Sequence, residues 1–153
     1  PARPLRVFAQ LRGNVWTNDC DDFARIVIDF DNGCVGLCEI NTTTTRPLPR
    51  WHLDGTNGSA SAPPSAAFDT RQWARLAFTP ADNTAARDLP VAPAGLSESA
   101  IWDGFAAACR GAGPPAVEVD SVLVTTRLLD AARQSSAEGK AIDVHGALPG
   151  RRE

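Results

Sequence analysis

Residues 22–42 run Asp22-Phe23-Ala24-Arg25-Ile26-Val27-Ile28-Asp29-Phe30-Asp31-Asn32-Gly33-Cys34-Val35-Gly36-Leu37-Cys38-Glu39-Ile40-Asn41-Thr42, and this stretch decides the fold. Ala24, Ile26, Ile28 and Phe30 make one apolar face of a strand, while Phe23, Arg25, Val27 and Asp29 make a mixed one. Asp31-Asn32-Gly33 is a hairpin signal leading into a second strand over 34–42, so the pair is antiparallel. Upstream, residues 5–12 alternate Leu5, Val7, Ala9 and Leu11 against Arg6, Phe8, Gln10 and Arg12. Downstream, Trp51 and Leu53 alternate with Arg50, His52 and Asp54, and Trp51 is expected to be buried. That strand ends at Gly55-Thr56-Asn57-Gly58; short strands are predicted over 59–61 and 72–79. Gly33 and Gly58 are read as turn glycines at positive φ.

From residue 80 to 95 the chain is rich in Pro, Ala and Asp without periodicity and reads as a loop. Two helices follow. The first is predicted to start at a Ser97 cap and run through Ile101, Phe105 and Ala108 to Gly111. Gly113-Pro114-Pro115 breaks the chain. The second is predicted from an Asp120 cap to about residue 138, with Val122, Leu128, Leu129 and Ala132 inward and Gly139 as its stop. A short strand over 141–144 closes the fold, and residues 146–153 read as a flexible tail. Strands first and helices afterwards mean α+β: a mostly antiparallel (mixed) open sheet with helices on one face. The other face carries Arg25, Glu39, His52 and Arg75 among Val27, Leu37 and Trp73. That mixture of charge and apolar surface makes these four residues interface candidates, with the open face available for homo-oligomer formation.

The length of 153 residues suits one domain, and the 43% apolar share supports a core. A net charge of −3 provides no basic field for nucleic acid or an anionic membrane. All basic residues except Lys140 are Arg, which with the Ala and Pro content reads as a GC-rich bacterial coding bias. No apolar run approaches the roughly 20 residues of a membrane helix. Cys20, Cys34, Cys38 and Cys109 form no CxxC pair, so no metal site is expected. They read as reduced, mostly buried thiols of a cytoplasmic protein, with Cys20 the most exposed. The chain has no methionine, and it is expected to be a piece of a longer protein.

The order of motifs resembles a known family. Asp22-Phe23-Ala24, then Phe30-Asp31-Asn32-Gly33, Trp51 through Ser59, Phe105 through Pro115, Leu128-Leu129-Asp130-Ala131-Ala132 and Ser135 through Lys140 follow one another as in the C-terminal domain of the Gfo/Idh/MocA oxidoreductases, the relatives of glucose–fructose oxidoreductase and inositol dehydrogenase. The resemblance covers residues 5–145 and implies a C-terminal substrate and oligomerisation domain over 1–145. It implies an N-terminal Rossmann domain as partner, NAD or NADP as the parent's cofactor, and a sugar, cyclitol or similar hydroxyl-bearing substrate. The alternative is a non-enzymatic, sheet-dimerising interaction module.

The chemistry of the parent is not in this chain. No G-x-G-x-x-G follows a strand, so no phosphate-cradling turn is present. The Glu-Lys-Pro motif of the family's usual catalytic lysine is missing, and Lys140 falls where the resemblance implies a helix stop. His52 and His145 have no partners at catalytic or ligand spacing, and Asp19, Asp21 and Asp22 read as a loop leading into a strand rather than a cation site. The chain alone is therefore expected to be inactive, with no catalytic or cofactor-binding residue. Substrate-side candidates lie on two loops: Arg12 and Trp16 on one, Asn41 and Thr43 on the other.

Overall fold

The computed structural model describes residues 2–13, 15–16, 19–46, 48–63, 75–82, 84–89, 98–115 and 117–144. The predicted Ser97 cap, residues 72–74 and the tail at 146–153 lie outside these. Among the described residues eight strands and two helices follow in the order β1 (Pro4–Arg12), β2 (Phe23–Phe30), β3 (Val35–Asn41), β4 (His52–Gly55), β5 (Gly58–Ser61), β6 (Leu76–Pro80), β7 (Arg87–Leu89), α1 (Glu98–Cys109), α2 (Val119–Glu138) and β8 (Ile142–Asp143). The chain divides into two compact units, residues 1–43 with 103–153 and residues 44–102. Every pairing is antiparallel, in two four-stranded sheets ordered β3-β2-β1-β8 and β4-β5-β6-β7. The architecture is α+β, as the pattern predicts, with the strands shared between two sheets.

In the first unit the β2–β3 hairpin closes with Gly33 N–H donating to Phe30 O at 3.1 Å and Cys34 N–H to the Asn32 side chain at 3.1 Å. Rows across the sheet align Val7 with Ile28 and Ala9 with Ile26. Val7 and Ala9 form the core with Ala131, Ala132 and Val144, joined at its margin by Ile26, Ile28, Leu128 and Ile142. Small residues on α2 let the helix approach the sheet this closely. Ala131, Ala132 and Ser135 are its buried positions, whereas Val122 and Leu129, predicted inward, are about half exposed. Ala132 and Leu128, also predicted inward, are in the core and packed against it, so periodicity found part of the stripe; it failed at two large apolar residues because apolar size does not mark where the helix comes close to the sheet. The N-cap is Glu118, without a side-chain cap bond, and Asp120 sits in the first turn instead of capping. Gly139 ends the helix in the left-handed conformation at φ 67°, as predicted.

Two serines complete the sheet. β8 pairs with β1 only at Arg6 and Val7. Beyond it, Ala9 N–H donates to Ser135 Oγ at 2.9 Å and Leu11 N–H to Ser136 Oγ at 2.9 Å, so hydroxyls from α2 take the place of the missing strand. Ser135 Oγ in turn donates to Lys140 O at 2.6 Å.

In the second unit Thr56 and Asn57 turn β4 into β5, with Gly55 opposite Gly58. Gly58 has φ 139°, and a Cβ there would collide with the Thr79 carbonyl and lie 2.8 Å from Pro80. Trp51 is 53% exposed, against its expected burial. It holds the chain through its carbonyl, which accepts Ala62 N–H at 2.8 Å, while the Arg50 guanidinium lies 5.9 Å from its ring centre. β7 lies inside the predicted 80–95 loop, with Leu76 opposite Leu89. A three-residue edge strand is held by its neighbour's backbone and leaves no periodicity of its own. The four cysteines are all exposed, contrary to the expected buried thiols. Cys34 is in a hairpin turn, Cys38 on the edge strand β3, Cys20 in a loop and Cys109 at a helix end, where no second layer covers them.

Candidate functional site

Two of the four substrate-side candidates, Arg12 and Asn41, stand at one end of the first sheet, and the other two, Trp16 and Thr43, lie on the segments that leave it there. Arg12, Phe23 and Asn41 stand in one row across β1, β2 and β3. Between Arg12 and Phe23 the chain leaves the sheet as a loop and returns. Gly13 allows the close neck of that loop, since a Cβ there would lie 2.7 Å from Cys20 O. Asp22, only 4% exposed, closes it. Its N–H donates to Arg12 O at 2.8 Å, and its Oδ2 accepts Val15 N–H at 2.8 Å and Trp16 N–H at 3.2 Å. Its carbonyl accepts both the N–H and the hydroxyl of Thr42 at 3.0 Å. Next to Thr42, Asn41 Oδ1 accepts Thr43 N–H at 3.0 Å and the Thr43 hydroxyl at 2.8 Å, a side-chain turn. Arg12 Nη1 donates to Leu11 O at 2.7 Å, and the Trp16 ring is exposed. Sequence reasoning selected the two loops but passed over the residue that joins them. Its signal was there: an Asp directly before a strand, where a carboxylate can satisfy loop N–H groups.

The interface candidates fall on different sheets. On the face of the first sheet away from α2, Gln10, Arg25 and Glu39 form one row. Arg25 donates to Glu39 Oε2 from Nε at 2.8 Å, and its guanidinium lies 5.6 Å from the Phe23 ring centre. The neighbouring row is Phe8, Val27 and Leu37, with Phe8 and Leu37 exposed. His52 and Arg75 belong to the second unit. His52 Nε2 lies 3.1 Å from Asp54 Oδ2, on the same side of β4, and Arg75 is exposed just before β6. The hydrogen bond from Ser59, followed by the charge of His52, holds the Asp54 carboxyl below its ordinary value. Lys140 is paired with Glu138 at 2.7 Å, which raises its pKa and keeps it an ammonium at the end of α2.

No protein-family model matches the sequence, and no curated protein matches it either. Solved structures do match. The chain is similar to an NAD-binding protein from Listeria innocua at 20% identity and TM-score 0.73, covering 93% of this chain and 46% of that one. An oxidoreductase from Agrobacterium radiobacter in complex with NAD+, L-tartaric acid and magnesium gives 20% identity and TM-score 0.66 over 92% and 43%. Aldose-aldose oxidoreductase from Caulobacter crescentus, complexed with glycerol, gives 16% and 0.69 over 94% and 42%. The chain shares its fold with a part of each of these proteins. The chain spans less than half the length of these oxidoreductases.

With that fold, a dinucleotide does not fit the residues described here. A pyrophosphate needs a glycine turn leading from a strand into a helix N-terminus. The positive-φ glycines stand elsewhere: Gly33 and Gly58 in hairpins, Gly111 and Gly139 after helix ends. Among the described residues no three His, Cys, Asp or Glu side chains gather as metal ligands, and no helix is long and apolar enough to cross a membrane.

Proposed function

We propose that this chain is the substrate-binding and oligomerisation domain, over residues 1–145, of a cytoplasmic NAD(P)-dependent oxidoreductase acting on a sugar, cyclitol or similar hydroxyl-bearing compound. The observation that carries the reading is the asymmetry of the fold match, nearly all of this chain on less than half of each oxidoreductase. A Rossmann domain outside this sequence would hold the nicotinamide. The Arg12–Trp16 loop and the Asn41–Thr43 turn would supply the substrate's hydrogen bonds and stacking surface, and no residue of this chain would carry the hydride step. The row Phe8–Val27–Leu37 beside the Arg25–Glu39 pair offers apolar area flanked by fixed charges, which suits contact between subunits.

The test is to express the whole reading frame that encodes this chain and follow nicotinamide absorbance with aldoses, cyclitols and hydroxy acids. Turnover that needs a hydroxyl-bearing substrate is the expected result. A frame without a dinucleotide domain, giving a chain that self-associates and turns nothing over, would establish the interaction module instead. Light scattering on Leu37→Asp tests the subunit contact: the expected outcome is a smaller assembly, and an unchanged mass would remove this face as the interface.

A further inference from the structure

Asp22 offers a role that neither the fold match nor the motif order assigns. Burying a carboxylate is costly unless hydrogen bonds satisfy it. This one is 4% exposed and aims Oδ2 at two consecutive backbone N–H groups, those of Val15 and Trp16. Its main chain meanwhile binds the end of β1 through Arg12 and the segment after β3 through Thr42. One residue thus holds both loops of the candidate rim. Of the two residues whose N–H groups it accepts, Trp16 is 68% exposed. An exposed aromatic ring on a tethered backbone offers a face on which a ligand can stack. A ring face on one of the two segments that Asp22 joins, with the Arg12 guanidinium before it and the Asn41 amide and Thr43 hydroxyl on the other, suits a carbon skeleton that alternates C–H and O–H.

We propose that Asp22 is a positioning residue for substrate recognition: it fixes the backbone at Val15 and Trp16 so that Trp16 presents its ring to a polyhydroxylated carbon chain. The proposal rests on the substrate-binding reading above. Fixing the loop before binding removes the ordering cost from the binding step. Asp22 does not touch the substrate. Its removal therefore acts on affinity through Trp16.

The experiment has two readouts. In this chain with Trp51, Trp73 and Trp102 changed to Phe, acrylamide quenching reports Trp16 alone. Asp22→Ala is expected to raise the quenching constant about twofold or more by freeing the loop. Asp22→Asn is expected to stay near the parent, because its oxygen still accepts both N–H groups. In the complete enzyme, Asp22→Ala and Trp16→Ala are each expected to raise KM for the hydroxyl substrate about tenfold with kcat within about twofold, as removal of uniform binding does. If Asp22→Ala fails to fold, Asp22→Glu supplies the test: it keeps the charge but shifts the acceptor by a methylene, and quenching should exceed that of Asp22→Asn. Unchanged quenching in the folded variants overturns the positioning role whether or not the enzyme uses a hydroxyl substrate. A Trp16→Ala enzyme with unaltered KM overturns the recognition role. An enzyme inactive on all hydroxyl substrates, with quenching altered as expected, removes the substrate-binding reading and leaves the loop anchor standing.

Discussion

Replacing Ser135 by Ala should destabilise the first unit far more than loss of one hydroxyl from a helix usually does. Ser135 is fully buried, and its Oγ accepts Ala9 N–H at 2.9 Å and donates to Lys140 O at 2.6 Å. Alanine leaves both partners unmatched. A buried N–H without a partner costs about 1–3 kcal/mol, and a carbonyl that water partly reaches costs about 0.5–1.5 kcal/mol. The expected loss is therefore about 2–4 kcal/mol, a large fraction of the roughly 5–15 kcal/mol available to a domain. With a urea dependence of about 2 kcal/mol per molar, the denaturation midpoint should fall by about 1–2 M. Ser136→Ala, which frees only the part-buried Leu11 N–H, should cost about 1 kcal/mol. Ser121→Ala, on the exposed start of α2, should cost less still. Amide exchange at Ala9 should accelerate in Ser135→Ala beyond the global effect. Equal midpoints for Ser135→Ala and Ser121→Ala would refute the reasoning, since the hydroxyl would then not stand in for a strand.

Gly58→Ala should cost about 2 kcal/mol or more, because both its positive φ and the Thr79 carbonyl oppose a Cβ, whereas Gly113→Ala, which opens onto free space, should be near neutral in the same denaturation series. Trp51→Ala should cost less than Val7→Ala despite the larger side chain, since Val7 is fully buried and Trp51 half exposed; matched midpoints check this. Asp54 should titrate below the ordinary aspartate value of 3.8, and Ser59→Ala should bring it back up, as carboxyl NMR would show. Because the folded carboxyl is the stronger acid, its stabilising effect is present above the unfolded pKa and fades as pH falls through the folded one, in the region below about 4.

The reach of sequence reasoning differs between neighbouring residues. Arg12 and Asn41 were legible as strand ends, and Trp16 and Thr43 as residues just beyond them, because strand alternation stops at both places. That the two segments are joined was not legible, because the join depends on Asp22, whose side chain reaches backwards to Val15 and Trp16 and whose carbonyl reaches Thr42 beyond the third strand. Burial was the weakest inference. Trp51 and Val122 are apolar and in register, yet exposed, while Ser135 is polar and fully buried. A side chain's hydrophobicity states what it would gain from a cover, not whether a cover is there.

By itself the sequence determined what is local: the period of two in Ala24, Ile26, Ile28 and Phe30, the turn at Asp31-Asn32-Gly33 that joins β2 to β3, and the glycine that ends α2. These follow from short-range sterics and from which side of a strand each side chain occupies. Tertiary structure alone decided which strands share a sheet, that β8 stops short and leaves Ala9 and Leu11 to two serines, and that a buried carboxylate gathers the candidate rim. Those outcomes depend on backbone groups far apart in the chain finding partners, and a hydrogen bond between residues 9 and 135 leaves no periodic trace in either neighbourhood.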